Sequence, residues 1–592
     1  MHDVSWSLLR GARDASFRFG GLFEVALSAI LAQRHLSSST LGEASALSRF
    51  ATLAAPFLQE QYEDSPVHAT ALGVAGYDSR LDDLRQETFE RRRADDARWL
   101  AELSSLGPSD VDDSERIDHR YLVSTLRGRT VMADWATWRR QPAVYLSPGL
   151  TGVHLLYLRR TLPPEELHRA AEARLGALPW NLLEGKRNLD AALVAPIFVE
   201  RGIGQARAGA RYVRDLLPLE AEGTWRQRLA IAGENAAVAL LDFADWLESL
   251  RGAASGDHAI GAERYTALLR ERELLPYDAD ELLALGEELC ARYDGELRAI
   301  AKRIDPSRDW RDLMTDLRRD RPQTPDAMRD AYEEAASRAR AFVLDRGLVT
   351  LPEGERCIVE PLPPFQRPVQ AVASYSGPPA FSRSLVGHFF VPYPPDGTPP
   401  EEVAERLAPY GAIQHTAVHE AYPGHHVQRV IRVAHPSAVR KSFANSFFAE
   451  GWALYAERMM REQGFFADPR AELNAVRSLF FRAIRIVVDV RLHTRRMQFD
   501  DAVRFLMDRA LMSAPNARTE AGRYCAGPVQ ASSYMVGHLE VAKLRDRFLR
   551  ERGLSGVAGL RAFHDRLLSG GDLPLALAAE EVLASPTRPP SS

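Results

Sequence analysis

The 592-residue chain has only three cysteines, Cys290, Cys357 and Cys525, far apart in sequence. No pair of them has the spacing of a zinc knuckle or a redox motif, which excludes a disulfide-stapled scaffold and a cysteine-held metal. An odd count without a framework suits a reducing compartment, so a cytoplasmic location is expected. Long hydrophobic runs are missing as well. The best candidate, residues 19–32 behind Arg10, Arg13 and Arg18, is interrupted by Glu24 and falls short of the ~20 residues that a spanning helix needs. No small-residue cleavage site separates it from the Ser-rich stretch 37–40. Residues 1–45 therefore read as a poorly fixed extension or an amphipathic helix, and no stable membrane insertion is expected. Nor does one sign of charge dominate: 75 basic residues face 80 acidic ones, for a net charge of −5. Runs such as Arg91-Arg92-Arg93 are followed at once by Asp95-Asp96, the pattern of a solvated helix face, so a nucleic-acid partner is not expected. Nothing in these features sets the oligomeric state.

What the chain does have is a concentration of histidine. Five of its 16 histidines fall between residues 415 and 435, four of them in the stretch from His415 to His426. A His-Glu pair followed by another histidine is the skeleton of a zinc-hydrolase helix, with histidines as ligands and the glutamate as general base. In the usual spacing the second histidine comes four residues after the first. Here that position, counted from His419, is Pro423, and the next histidine is His425. On a straight helix His419 and His425 would point about 120° apart. Pro423 removes a backbone donor and clashes with the preceding turn, while Gly424 tolerates unusual dihedrals. A break or bulge at Pro423-Gly424 is therefore expected, adding two residues between otherwise ordinary ligand positions. His415 and His426 compete with His425 for the role of second ligand. His415 lies four residues before His419 and shares its face, while His426 lies about 10 Å further along an intact helix.

Thirty-one residues after His419, Glu450 interrupts the apolar helical run Phe447-Phe448-Ala449-Glu450-Gly451-Trp452. A lone carboxylate among aromatics is rarely buried unless it is paired or holds a metal. Glu457, on nearly the same face, reads either as an orienting partner for a ligand histidine or as a surface pair with Arg458 or Arg461.

These segments resemble a known family, the peptidase-like proteins grouped as domain of unknown function 885. The resemblance rests on HEAYPGHHVQ at 419–428 and AEGWALYAE at 449–457. It extends through ERCIVEPLPPFQRPVQAVASYSGP at 355–378, RIVVDVRLH at 485–493, TEAGRYCAGPVQASSYMVG at 519–537 and SPVHATALGVAGYDSRLDD at 65–83. It covers roughly residues 46–580. The family implies a helical zinc hydrolase similar to thermostable carboxypeptidases and angiotensin-converting-enzyme-like peptidases, and its pattern keeps a histidine at the position of His425.

The expected architecture is mainly α, two-lobed around a central cleft, with a small β-element near the active site. Residues 46–350 form an N-terminal helical lobe, with helices over 86–106, 164–178 and 279–304. Residues 351–399 form the β-element and a loop, residues 400–584 the metal-binding lobe, and residues 585–592 a Pro/Ser-rich disordered tail. Residues 145–162 read either as lining of the cleft or, in preference, as ordinary helix packing. Zn2+ is expected on His419, His425 and Glu450, with Glu420 as the base. Tyr534 is the first candidate to donate a hydrogen bond to a developing oxyanion, and Tyr524 the second. Arg485 is expected either to clamp a substrate carboxylate or to pair with Asp489, and Tyr375 and Tyr524 complete the substrate-facing set. His493 reads as a satisfied core histidine. The activity expected is hydrolysis of a peptide or small amide. A non-haem iron site of two histidines and one carboxylate and a catalytically silent binding scaffold are the alternatives.

Overall fold

Helices carry most of the chain because its apolar residues recur at three and four with few internal breakers, and its prolines and small polar residues mark where helices start. The computed structural model describes residues 47–584 except 363–366, 368–371, 395–396 and 467. The expected N-terminal extension 1–45, the tail 585–592 and the segment 368–371 of the expected β-element lie outside the described residues. Ser48 caps the Arg49–Asp64 helix through the amide of Ala51, and Asp278 and Glu281 form a capping box at the start of Ala279–Ile304. The helix expected to end at residue 178 continues through Pro179 to Asn188. Leu178 and Leu182 on either side of the proline are buried, so tertiary packing outweighs the lost backbone bond. Tyr145, Leu146, Val153 and Leu156 of the Ala143–Arg159 helix are core residues, which is the ordinary packing expected for that stretch.

From Ser48 onward the chain clusters as one unit around a contiguous apolar core. Among the described residues three short strands interrupt the helices: β1 (Arg356–Pro361), β2 (Ser374–Ser376) and β3 (Val386–Val391). Their order is β1-β3-β2, with β1 parallel and β2 antiparallel to the central β3. Gly387 is required on β3, because a Cβ there would lie 1.9 Å from the Tyr375 hydroxyl. Glycine leaves room for the ring against the strand, where its hydroxyl meets His426 Nδ1 at 2.9 Å. No described helix is long and apolar enough to cross a membrane, and all three cysteines are free.

Two helix pairs frame the site. Ala279–Ile304 packs along Pro469–His493, and Ser446–Glu462 along Ser533–Arg552. In the second pair the backbones touch at Gly451 and Gly537. A Cβ on Gly451 would fall 2.5 Å from the carbonyl carbon of Gly537, and one on Gly537 would fall 2.0 Å from the carbonyl oxygen of Phe447. That close approach sets Glu450 beside Tyr534. Gly451→Ala or Gly537→Ala is therefore expected to destabilise the fold by about 1–3 kcal/mol or more, because the atoms a Cβ would meet are rigid backbone. Urea unfolding of the two variants checks this, and unchanged midpoints would contradict it.

Candidate metal centre

The first histidine helix, Tyr410–Glu420, stops at Glu420, and a second, His425–Val433, starts after a four-residue interruption. The expected distortion is thus a full break, placed slightly earlier than Pro423. The amides of Ala421 and Tyr422 both bond the carbonyl of Ala417, at 2.9 and 3.3 Å, and Gly424 N–H reaches back to the carbonyl of Val418 at 3.0 Å. Gly424 is needed for the close approach, since a Cβ would lie 1.8 Å from the carbonyl oxygen of His419. Trp452 Nε1–H donates to the Pro423 carbonyl at 2.9 Å, which ties the break to the helix that carries Glu450.

The consequence is local and chemical. His419 sits in the last turn of one helix and His425 opens the next, so the two rings meet edge to face with centroids 4.9 Å apart. Each Nε2 lies 3.5 Å from Glu450 Oε2, and one ligand atom from each of the three residues lies within 4.8 Å of the others. A separation of 3.5 Å is long for a hydrogen bond but close to the edge of a tetrahedron whose ligands lie about 2.1 Å from a zinc ion. Glu450 Oε2 is also buried without a hydrogen-bond partner. An anionic oxygen orphaned between two imidazole nitrogens is costly by itself and is satisfied by a cation. The residues present therefore fit a divalent metal.

The other side of His419 is anchored. Its Nδ1 lies 2.8 Å from Glu457 Oε1, which leaves Nε2 with a lone pair for a metal. Burial would raise the Glu457 pKa, but Arg482 and the two histidines, His419 and His415, hold it down at about 2, so it stays ionised. Arg458 and Arg461, the surface partners considered for Glu457, pair instead with Glu462 and Glu296. His415 and His426 are occupied elsewhere. His415 Nε2 bonds the Ala471 carbonyl at 3.1 Å while its ring stacks on Phe466. His426 lies fully buried between the Tyr375 hydroxyl at 2.9 Å and Glu355 Oε2 at 2.6 Å.

A cavity of about 350 Å³ opens over the cluster, with Glu420, Tyr534, Tyr375 and Arg429 among its walls. Burial lifts the Glu420 carboxyl above the usual glutamate value, with the neighbouring histidines opposing. The Tyr534 ring lies nearly parallel to His419, centroids 6.4 Å apart, and burial pushes its phenol up. Glu355 and Arg429 were not singled out from the sequence. Arg429 carried a usable signal, one turn beyond His425. Glu355 carried none, because its partners come from two separate segments, Arg340 before it and Tyr422 and His426 well after it.

Two of the expected substrate contacts are placed differently. Arg485 donates to the Tyr524 hydroxyl at 3.1 Å and to Glu520 Oε2 at 3.1 Å, and Tyr524 itself donates to Glu520 at 2.7 Å. Neither Arg485 nor Tyr524 lines the cavity. Arg485 instead lies under the Tyr534 ring, its guanidinium carbon 4.4 Å from the centroid, where it props the tyrosine. Asp489 does not pair with Arg485 either. It accepts from Tyr265 at 2.8 Å and Ser532 at 2.9 Å, fixing the turn that leads into Tyr534. His493 is a core residue as expected, but only half satisfied: its Nε2 bonds the Tyr524 carbonyl at 3.0 Å, while its Nδ1 is buried without a hydrogen-bond partner.

A family model for bacterial proteins of unknown function, DUF885, matches residues 66–582. Two solved structures share the fold. One, described as a candidate lipoprotein of unknown function from Shewanella oneidensis, aligns with a TM-score of 0.73 at 21% identity over 90% of this chain and 100% of its own. The other, described as a candidate lipoprotein from Colwellia psychrerythraea, aligns with a TM-score of 0.75 at 18% identity over 90% of this chain and 98% of its own. No curated protein matches the sequence significantly.

Proposed function

This chain belongs to the DUF885 family, and we propose that it is a zinc-dependent hydrolase of a peptide or small amide bond. The observation that carries the reading is the orphaned Glu450 Oε2 between His419 and His425, with Glu420 in the wall of the same cavity. His419, His425 and Glu450 hold the ion. Zinc bound there supplies Lewis acidity and makes a bound water more acidic. Glu420 accepts a proton from the attacking water as its oxygen bonds the acyl carbon, then passes that proton to the leaving nitrogen as the C–N bond breaks. A partly desolvated carboxyl with a raised pKa suits this return of the proton. Tyr534 O–H donates to the oxygen that becomes negative, and Arg485 beneath its ring keeps the phenol aimed. The likeness to two-lobed helical zinc peptidases belongs to the same proposal.

Tyr534→Phe is expected to lower the catalytic rate about 10²–10³-fold, the loss typical of one oxyanion donor, with metal content unchanged. An unaffected rate would remove the phenol from catalysis. Elemental analysis of the purified protein separates zinc from the iron alternative. The solved relatives are described as candidate lipoproteins, so we propose an extracytoplasmic place of action over the cytoplasmic one that the cysteine count suggests. Cell fractionation decides between them.

A further inference from the structure

The cavity contains one basic side chain whose hydrogen-bonding capacity is only half used. Arg429 is the one Arg or Lys among the described residues that line it. It lies four residues after His425 on the same helix, and so on nearly the same face as the ligand ring. Its Nη1 donates to Asp572 Oδ2 at 2.5 Å. Asp572 is shared: its carboxylate also accepts from Arg432 at 3.2 Å and from Gln428 at 2.7 Å. Arg432 is fully engaged, its remaining nitrogens reaching the carbonyls of Arg440 and Lys441. Two guanidinium groups therefore share a single carboxylate, and one positive charge is left over. Of the two, Arg429 is the one a ligand can reach. The Arg429 side chain is 28% exposed, whereas that of Arg432 is 8% exposed. Its Nε and Nη2 bond no protein acceptor among the described residues. Gly377, just past β2, packs on its stem, where a Cβ would lie 2.9 Å from Arg429 Cβ. The side chain is thus held at its base by Gly377 and at one nitrogen by Asp572, with the other edge of the guanidinium fork open.

We infer that Arg429 recognises a free carboxylate on the substrate and so directs the hydrolase to acyl compounds whose acid end lies within one or two residues of the bond cut. The planar edge presented by Nε and Nη2 matches a carboxylate in two parallel hydrogen bonds. Arg429 stands one helical turn, about 6 Å, from His425, comparable to one or two residues of extended chain. A cavity of about 350 Å³ holds a group of that size. This inference rests on the hydrolytic reading for its reaction, but its binding step is separate. The anchoring task considered for Arg485 falls to Arg429 because Glu520 and Tyr524 already occupy Arg485.

The test uses the full-length zinc-loaded protein with N-benzoyl-glycyl-alanine as the free acid and as its C-terminal amide. Binding is measured by calorimetry on Glu420→Gln protein, so that turnover does not interfere. The acid is expected to bind about 10–100-fold more tightly than the amide, the range for charge-assisted hydrogen bonds. Arg429→Gln in the same background is expected to abolish that preference while leaving amide binding and zinc content unchanged, and Arg429→Lys to restore part of it. Equal affinity for acid and amide in the parent, or an acid preference that survives Arg429→Gln, overturns the inference. If the parent prefers the acid through Arg429 but wild-type protein cleaves neither compound, the anchor stands and the hydrolytic reading fails. If wild type cleaves both compounds with equal kcat/KM and Arg429→Gln changes neither, the hydrolytic reading stands and the anchor fails.

Discussion

Glu420→Gln protein is expected to keep its zinc and lose about 10²–10⁴-fold in turnover, the contribution typical of a positioned general acid–base group. Glu420 closes the first histidine helix immediately after His419 and lines the cavity above the cluster. It is not one of the three groups whose atoms converge, so its amide should leave the ligand set intact. The substitution preserves size and removes only the ability to accept a proton. The measurement is a rate on any peptide or amide that wild-type protein cleaves, with zinc per chain determined on the same sample. A variant that keeps its rate would show that no proton passes through this carboxylate. A variant that loses its metal would make Glu420 a ligand and leave the base unassigned.

The second large effect separates three histidines. His425→Ala is expected to weaken metal binding by well over 100-fold, since even the loss of an orienting partner costs about 10–100-fold. His415→Ala and His426→Ala are expected to retain the ion. The reason lies in the partners of each ring. His425 Nε2 faces Glu450, whereas His415 is turned to the Ala471 carbonyl and Phe466. His426 is spent between Glu355 and Tyr375. The His426 variant should melt at a lower temperature all the same, because buried Glu355 loses one of its partners. Dialysis against chelator, followed by titration with zinc, ranks the three variants. Full occupancy in His425→Ala would overturn the broken-helix geometry as the basis of the site.

How much of this was legible beforehand depends on how far apart the interacting residues lie. The cluster of His419, His425 and Glu450 was readable because its logic is local. A proline and a glycine between two histidines must interrupt a helix, and a glutamate inside an aromatic run must find a counter-charge. The helix starts expected at Pro164 and Ala279 follow from the same short-range chemistry. Spacing on one helix was a poorer guide to the arginines. Arg485 and Asp489 lie one turn apart and still do not pair, because Tyr524, Glu520, Tyr265 and Ser532 compete for them from other elements. The same holds for Arg429, whose half-used fork exists only because Asp572, 143 residues away, is shared with Arg432. The position of Tyr534 depends on two glycines, Gly451 and Gly537, that allow two helices to touch. Sequence alone thus determined which residues could bind a metal and where the chain must break. The tertiary structure decided which charges are already neutralised and which remain free for a ligand, because a charge's partner is whatever folding brings within about 3 Å of it.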